Sequence, residues 1–404
     1  MANTIVSLIS LVLFCITATQ GRKTLQANNE GQTLSPFNSD GMCKTMVETQ
    51  GYACEEHKVT TEDGYILSLQ RMPVGRSGKK ADKPPVLLQH GLFIDAITWL
   101  FNSPNESLGF ILVDSGYDVW LSNTRGTKYS SGHKSLSPND KAYWDWSWDE
   151  LTRYDLPAFV QYVYNHTGQT MHYAGHSLGT LMALAAFSQG QVLNMLRSAA
   201  LLSPIAHMNQ ITSQLTKVAA DTFLADDLYW LGLREIIPNG DVAAKFVEGI
   251  CHNLQLNCSD LMTLFTGPNC CVNSSKIDVY LDHGPQPTAT KNLIHLSQMI
   301  RTGIIAKYDY GDQGQNMQHY GQPTPPPYDM TKISNEFPLF LSYGGQDMLS
   351  DVRDVQVLLS DLKDHDGNKL VVLLKKDYAH VDFVLGVNAK QMVYDPMIDF
   401  FKQN

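Results

Sequence analysis

Apolar and polar positions along this chain follow different rhythms, and each rhythm predicts a different kind of structure. Glu55-Glu56-His57-Lys58-Val59-Thr60-Thr61 and Tyr65-Ile66-Leu67-Ser68-Leu69-Gln70-Arg71 alternate on either side of Glu62-Asp63-Gly64. Side chains of a strand point to its two faces in turn, so this is the pattern of a β-hairpin. Pro85-Val86-Leu87-Leu88-Gln89, Tyr117-Asp118-Val119-Trp120-Leu121-Ser122, Pro338-Leu339-Phe340-Leu341-Ser342-Tyr343 and Leu370-Val371-Val372-Leu373-Leu374 are short runs of another kind, in which apolar residues predominate. All four read as strands, and the first two suit buried ones, the Pro85–Gln89 run a parallel strand covered on both faces. A further strand closes at Leu201-Leu202-Ser203-Pro204, and helical segments fall between the strands. One ends over Phe110 to Ser115, one runs from Ser147 through Tyr164, and one is carried by Leu181 to Phe187. Strands alternating with helices of this length predict an α/β fold with a mostly parallel sheet and right-handed crossovers.

From about His207 to Met330 the rhythm stops. Phe223, Leu224, Leu228, Tyr229, Trp230, Leu231, Leu233, Ile236 and Ile237 make an apolar amphipathic stretch, followed by a cysteine cluster and a second helical segment through Ile300. The Pro323 to Pro327 run stiffens the way back as an extended connector. Residues 207–330 therefore read as a helical cap inserted into one core, which is split into residues 46–206 and 331–404. Most apolar residues of the cap are expected to pack it onto the core, leaving some to line an apolar pocket.

Composition narrows the class. With 43% hydrophobic and 17% charged residues in 404, a large core is expected and disorder is not. The net charge of -10 and the lack of Lys/Arg clusters exclude a nucleic-acid partner. Ile5 to Ile16 form an apolar run followed by Thr17-Ala18-Thr19 and Gly21. Residues 1–21 read as a secretory signal peptide whose positive end is the α-amino group alone, since no Lys or Arg precedes the run. The run is too short to span a bilayer, and no other stretch qualifies as a transmembrane span. Residues 22–45 read as a polar N-terminal extension. The expected destination is the secretory pathway, with secretion first and a vacuole or lysosome as the alternative.

Two features agree with export. Sequons begin at Asn105, Asn165, Asn257 and Asn273. Of seven cysteines, Cys15 lies in the leader, which leaves six. Cys43 and Cys54 are spaced to close a small loop, while the pairing of Cys251, Cys258, Cys270 and Cys271 stays open. Paired C-x₂-C units are lacking, so neither a metal nor another cofactor is expected.

The chemistry concentrates at Met171-His172-Tyr173-Ala174-Gly175-His176-Ser177-Leu178-Gly179-Thr180. A strand precedes Ser177 and good helix formers follow it, so the serine is expected on a nucleophile elbow. Gly175 and Gly179 remove side chains that would collide in so sharp a turn. The backbone N–H of Leu178, and that of Leu92 after His90-Gly91, are the expected donors to an oxyanion. His90 itself reads as structural. The aromatic run Tyr143 to Glu150 suggests a ligand site, yet Ser147 and Glu150 form an S-x-x-E capping box that explains it as the start of a helix.

A serine hydroxyl needs a base and an orienting acid, in the chain order Ser, Asp or Glu, His. Asp347, in Gly344-Gly345-Gln346-Asp347 after one strand, and His380, in Asp377-Tyr378-Ala379-His380 after the next, lie where sheets of this kind build sites. Asp351, Asp354, Asp382 and His365 are rivals placed less well relative to strand ends. Ser177, Asp347 and His380 form the expected catalytic triad.

These motifs, together with Val59-Thr60-Thr61-Glu62-Asp63-Gly64-Tyr65-Ile66-Leu67, Asp118-Val119-Trp120-Leu121-Ser122-Asn123-Thr124-Arg125-Gly126 and His380-Val381-Asp382-Phe383, resemble those of the acid lipases, the group of the gastric and lysosomal acid lipases. Within it the chain looks most like the plant triacylglycerol lipases. The resemblance runs from about Cys54 to the C-terminus. It implies a capped, metal-free α/β-hydrolase that cleaves neutral lipid esters at a lipid-water interface. The animal members carry Gln where this chain has Leu178, and their cap cysteines are arranged differently. The same triad would also serve steryl or short-chain esters, or acyl transfer to an alcohol. A non-catalytic lipid carrier on this fold would need none of the three groups.

Overall fold

In the computed structural model, which describes residues 41–236 and 258–404, the hairpin is β1 (Glu55–Thr60) and β2 (Tyr65–Met72). After it come β3 (Lys83–Gln89), β4 (Tyr117–Asn123), β5 (Gly132–His133), β6 (Met171–His176) and β7 (Leu196–Leu202). A two-residue pair, β8 (Glu235–Ile236) and β9 (Thr288–Ala289), lies within the inserted segment, and β10 (Leu339–Gly344) and β11 (Leu370–Lys375) complete the main sheet. Its order is β1-β2-β4-β3-β6-β7-β10-β11, with β5 beside β2. The hairpin joins antiparallel to β4, and every pairing from β4 to β11 is parallel.

Both faces of the central strands are buried, which is why those strands lack alternation. Leu87, Trp120, Tyr173 and Leu201 face one apolar cluster, and Val86, Leu88, Val119 and Ala200 face the other. Helix α1 (Leu108–Asp114) covers the second face; α2 (Leu156–Thr167) and α3 (Leu178–Ser188) cover the first. Strand β11 departs from the pattern. At the edge of the sheet, Val371, Val372 and Leu374 are exposed although their sequence is as apolar as that of the inner strands.

The inserted segment holds α4 (Gln214–Asp221), α5 (Leu224–Trp230), α6 (Cys258–Thr266), α7 (Ile277–His283), α8 (Thr290–Thr302) and α9 (Gln313–Tyr320). After it, α10 (Val352–Asp361), α11 (Asp382–Leu385) and α12 (Asp395–Gln403) finish the chain. Residues Phe223 to Ile236 do not simply pack inward. Leu228 and Leu233 are buried, while Trp230 and Leu231 stand in solvent and Phe223 is half exposed with the Arg301 guanidinium 4.0 Å over its ring; Ile237 lies outside the described residues.

The Ser147/Glu150 capping box forms, with one π-helical turn over Leu151–Asp155 before α2. The aromatic run around it is packed rather than open. Trp148 stacks on His295 of α8 at 4.2 Å between ring centroids, and His295 reaches Ser147 Oγ at 3.1 Å. Asp149 accepts hydrogen bonds from Tyr308 N (2.8 Å) and Tyr328 Oη (2.6 Å), so the helix start also anchors the inserted segment.

Candidate active site

Strand β6 stops at His176, and α3 begins at Leu178. Between them Ser177 takes φ 54° and ψ -119°, a conformation that costs an L-residue about 1–3 kcal/mol. The surroundings hold it there. Ser177 N donates to Leu202 O (3.1 Å), and Thr180 Oγ1 donates to Ser177 O (2.6 Å). A Cβ on Gly175 would lie 3.0 Å from the Gly179 carbonyl, and one on Gly179 would lie 2.7 Å from Gln89 O. Glycine at these two positions is what lets strand, turn and helix close on one another.

The hydroxyl of Ser177 lies 2.7 Å from His380 Nε2, although 203 positions separate the two residues. His380 Nδ1 lies 2.9 and 3.0 Å from the two carboxylate oxygens of Asp347. That carboxylate fixes the proton on Nδ1 and leaves Nε2 as an acceptor for the serine proton. Asp347 Oδ1 also accepts from Leu349 N (2.9 Å) and Ser350 N (2.8 Å). Burial acts to raise the Asp347 carboxyl, but the imidazole and the two backbone N–H groups outweigh it and hold the group below its ordinary value. The three side chains come from the ends of β6, β10 and β11, which are parallel strands, so their loops open at one carboxyl edge.

The loop after β3 lies against the elbow, since a Cβ on Gly91 would be 2.8 Å from Ser177 Cβ. Among the described residues, no protein acceptor takes the N–H of Leu92 or of Leu178. The second is expected, because the first N–H groups of a helix have no partner within it. His90 points away from this chemistry. Its Nδ1–H donates to Gly91 O (2.8 Å), Nε2 accepts from Thr124 N (3.1 Å), and burial lowers it to about 4.

The rival groups have other partners. Asp351 caps α10 through Arg353 N (2.9 Å), Asp354 accepts from Gln210 N (3.0 Å), and His365 sits in the turn after α10. Asp382 accepts from backbone N–H groups only. Reasoning from sequence passed over His176, whose Nε2 lies 2.9 Å from His380 O, with Ser203 Oγ 3.3 Å from the same carbonyl. The available signal was its place inside the elbow motif, next to the nucleophile.

Elsewhere, Cys43 pairs with Cys54, and Cys270 pairs with its neighbour Cys271. Asn105, Asn165 and Asn273 are exposed; Asn257 lies outside the described residues, as do residues 1–40. No described helix is long and apolar enough to cross a membrane.

Two families match this sequence. The one described as alpha/beta hydrolase fold matches residues 84–386, and the one described as partial alpha/beta-hydrolase lipase region matches residues 43–103. Triacylglycerol lipase 2 of Arabidopsis thaliana is 46% identical over 390 residues, which cover 94% of this chain and 93% of that protein. Human gastric triacylglycerol lipase is 35% identical over 368 residues, covering 89% and 90% respectively. Among solved structures, a soluble variant of monoglyceride lipase from Saccharomyces cerevisiae in complex with a substrate analog aligns with a TM-score of 0.57 at 15% identity. That alignment covers 92% of this chain and 99% of that one, and it speaks for the fold alone.

Proposed function

The chain belongs to the α/β-hydrolase fold family, and from that premise we propose that it hydrolyses water-insoluble neutral lipid esters, triacylglycerols first, through an acyl-enzyme on Ser177. The observation that carries this reading is the unbroken contact Ser177 Oγ–His380 Nε2 and His380 Nδ1–Asp347. The names of the similar proteins support the substrate class.

His380 Nε2 takes the hydroxyl proton as Ser177 Oγ adds to the ester carbonyl carbon. The carbonyl oxygen, now an anion, is received by the N–H groups of Leu92 and Leu178. When the tetrahedral adduct collapses, the C–O bond to the alcohol breaks, and His380 gives its proton to the departing alkoxide. Water then enters. His380 removes a proton from it, hydroxide adds to the acyl carbon, and the second collapse frees the fatty acid and returns the proton to Ser177. Asp347 stabilises the imidazolium in each half.

Residues 207–330 act as the cap over this site. Phe223, Trp230 and Leu231 are 50%, 84% and 68% exposed, and these apolar side chains at the ends of α5 support contact with a lipid surface. Exposing a large apolar side chain forgoes about 1.5–3 kcal/mol that docking on lipid would recover. Residues 1–21 direct the protein into the secretory pathway, where Asn105, Asn165, Asn257 and Asn273 are glycosylation positions.

The test is fatty-acid release from emulsified long-chain triacylglycerol by the native protein and by Ser177→Ala. Native turnover and a loss of at least about 10³-fold in the variant are expected. Equal turnover in the two would remove Ser177 from its role, and absence of turnover in both would favour a lipid carrier.

A further inference from the structure

Asp382, two residues after His380, has a carboxylate that is fully buried and heavily used. Oδ2 accepts from Ala379 N (2.8 Å) and Cys270 N (3.1 Å), and Oδ1 accepts from Cys271 N (3.0 Å). One side chain thus joins the residue before His380 to the inserted segment. The same segment binds the loop twice more. Thr266 O accepts from His380 N (3.2 Å) and from Met348 N (3.3 Å), so a single carbonyl ties the imidazole-bearing loop to the carboxylate-bearing loop. Asn269 Oδ1 accepts from Val381 N (3.2 Å), while its Nδ2 donates to Thr266 Oγ1 and Gly267 O, both at 2.9 Å.

The approach is close enough to need glycine. Gly267 has φ +100°, and a Cβ there would overlap Gln346 O and lie 3.1 Å from Ala379 Cβ. The backbone N–H groups of Ala379, His380 and Val381 are consequently all taken, two by the segment Thr266–Cys271 and one by Asp382, which the segment itself binds. From the other side, His176 Nε2 and Ser203 Oγ hold His380 O.

We infer that Thr266–Cys271 is a fixed strap of the catalytic scaffold rather than part of a movable lid, and that Asp382 and Asn269 are positioning residues that hold His380 between Ser177 and Asp347. This rests on the proposed function above. Asp382 must be a carboxylate for a geometric reason: it accepts three N–H groups and donates nothing. An amide in its place turns an NH₂ toward at least one of those donors, and that N–H loses its partner. Asn269 is needed as an amide because it accepts on one side and donates on the other.

The experiment uses the full chain with Asp382→Asn and Asn269→Ala, and a short-chain water-soluble ester as substrate. It reads kcat and KM per titrated active site, together with the low-field proton resonance of His380 Nδ1–H. A displacement of the base should lower kcat about 10²-fold in Asp382→Asn, with KM unchanged and the resonance shifted or broadened. Asn269→Ala changes no charge, so a fall of about tenfold with the same signature separates positioning from the field of Asp382. Native kcat per active site in both variants would overturn the inference. So would a lower Tm accompanied by a native resonance and native kcat. If Asp382→Asn does not fold, Asn269→Ala decides by the same criteria. Failure of the underlying reading looks different, because Ser177→Ala would then keep its turnover.

Discussion

The elbow helix α3 and helix α5 of the inserted segment are both rich in apolar residues, and they use them in opposite ways. From Leu178 to Phe187 every residue of α3 is buried, including the faces turned away from the sheet. In α5 and its flanks Ala225 and Leu228 are buried, but Trp230 and Leu231 are held in water, and Phe223 is half exposed under the Arg301 guanidinium. A helix apolar on all sides that is fully buried fixes a position, as α3 fixes Ser177. A short helix that leaves its largest apolar groups exposed fixes no such position, and the proposed contact with lipid would use those groups.

The sharpest way to break this comparison is on the positional side. Asp347→Asn would leave the fold in place but remove the acceptor that holds the His380 tautomer, and kcat should fall about 10⁴-fold. Steady-state hydrolysis of a soluble ester checks it, and a loss below tenfold would mean that Asp347 does not orient the ring.

A smaller effect is expected from α5. Trp230→Ser should lower turnover of emulsified triacylglycerol severalfold through weaker adsorption, at about 1.4 kcal/mol per factor of ten, and leave hydrolysis of a dissolved short ester unchanged. Equal losses on both substrates would place Trp230 in the machinery rather than at the surface.

The smallest concerns the seam between the two regions. Burial raises Asp149 to about 6, against the hydrogen bonds from Tyr328 and Tyr308. A carboxyl raised in the folded state contributes stability that is full below its ordinary value and lost as pH rises through about 6. Asp149→Asn removes that dependence. The Tm advantage of the native protein over the variant should therefore shrink between about pH 4.5 and about pH 7.5, as thermal unfolding at the two pH values will read; an advantage independent of pH contradicts it.

The same contrast explains what was legible in the sequence. The strands, the hairpin and the capping box are local patterns, and the α/β class follows from their alternation. The candidate residues Ser177, Asp347 and His380 stand out in the sequence because each follows a strand whose end is marked by glycine or by a change of period. The strap was not legible. Thr266 and Gly267 act through main-chain atoms, and although Asp382 stands in the His380-Val381-Asp382-Phe383 motif, the N–H groups by which it holds the strap lie 111 and 112 positions away and leave no pattern in the chain. Strand β11 shows the converse limit: an apolar run specifies a strand, but its place at the edge of the sheet depends on partners elsewhere. Likewise the exposure of Trp230 follows from how α5 docks.

Covalent trapping tests most directly whether the three separated side chains work as one unit. An organophosphonate ester should add one group per chain, found by peptide mass on Ser177, and His380→Ala should slow that addition by at least about 10³-fold. An adduct on another residue, or labelling of Ser177 at the native rate without the imidazole, would contradict the account.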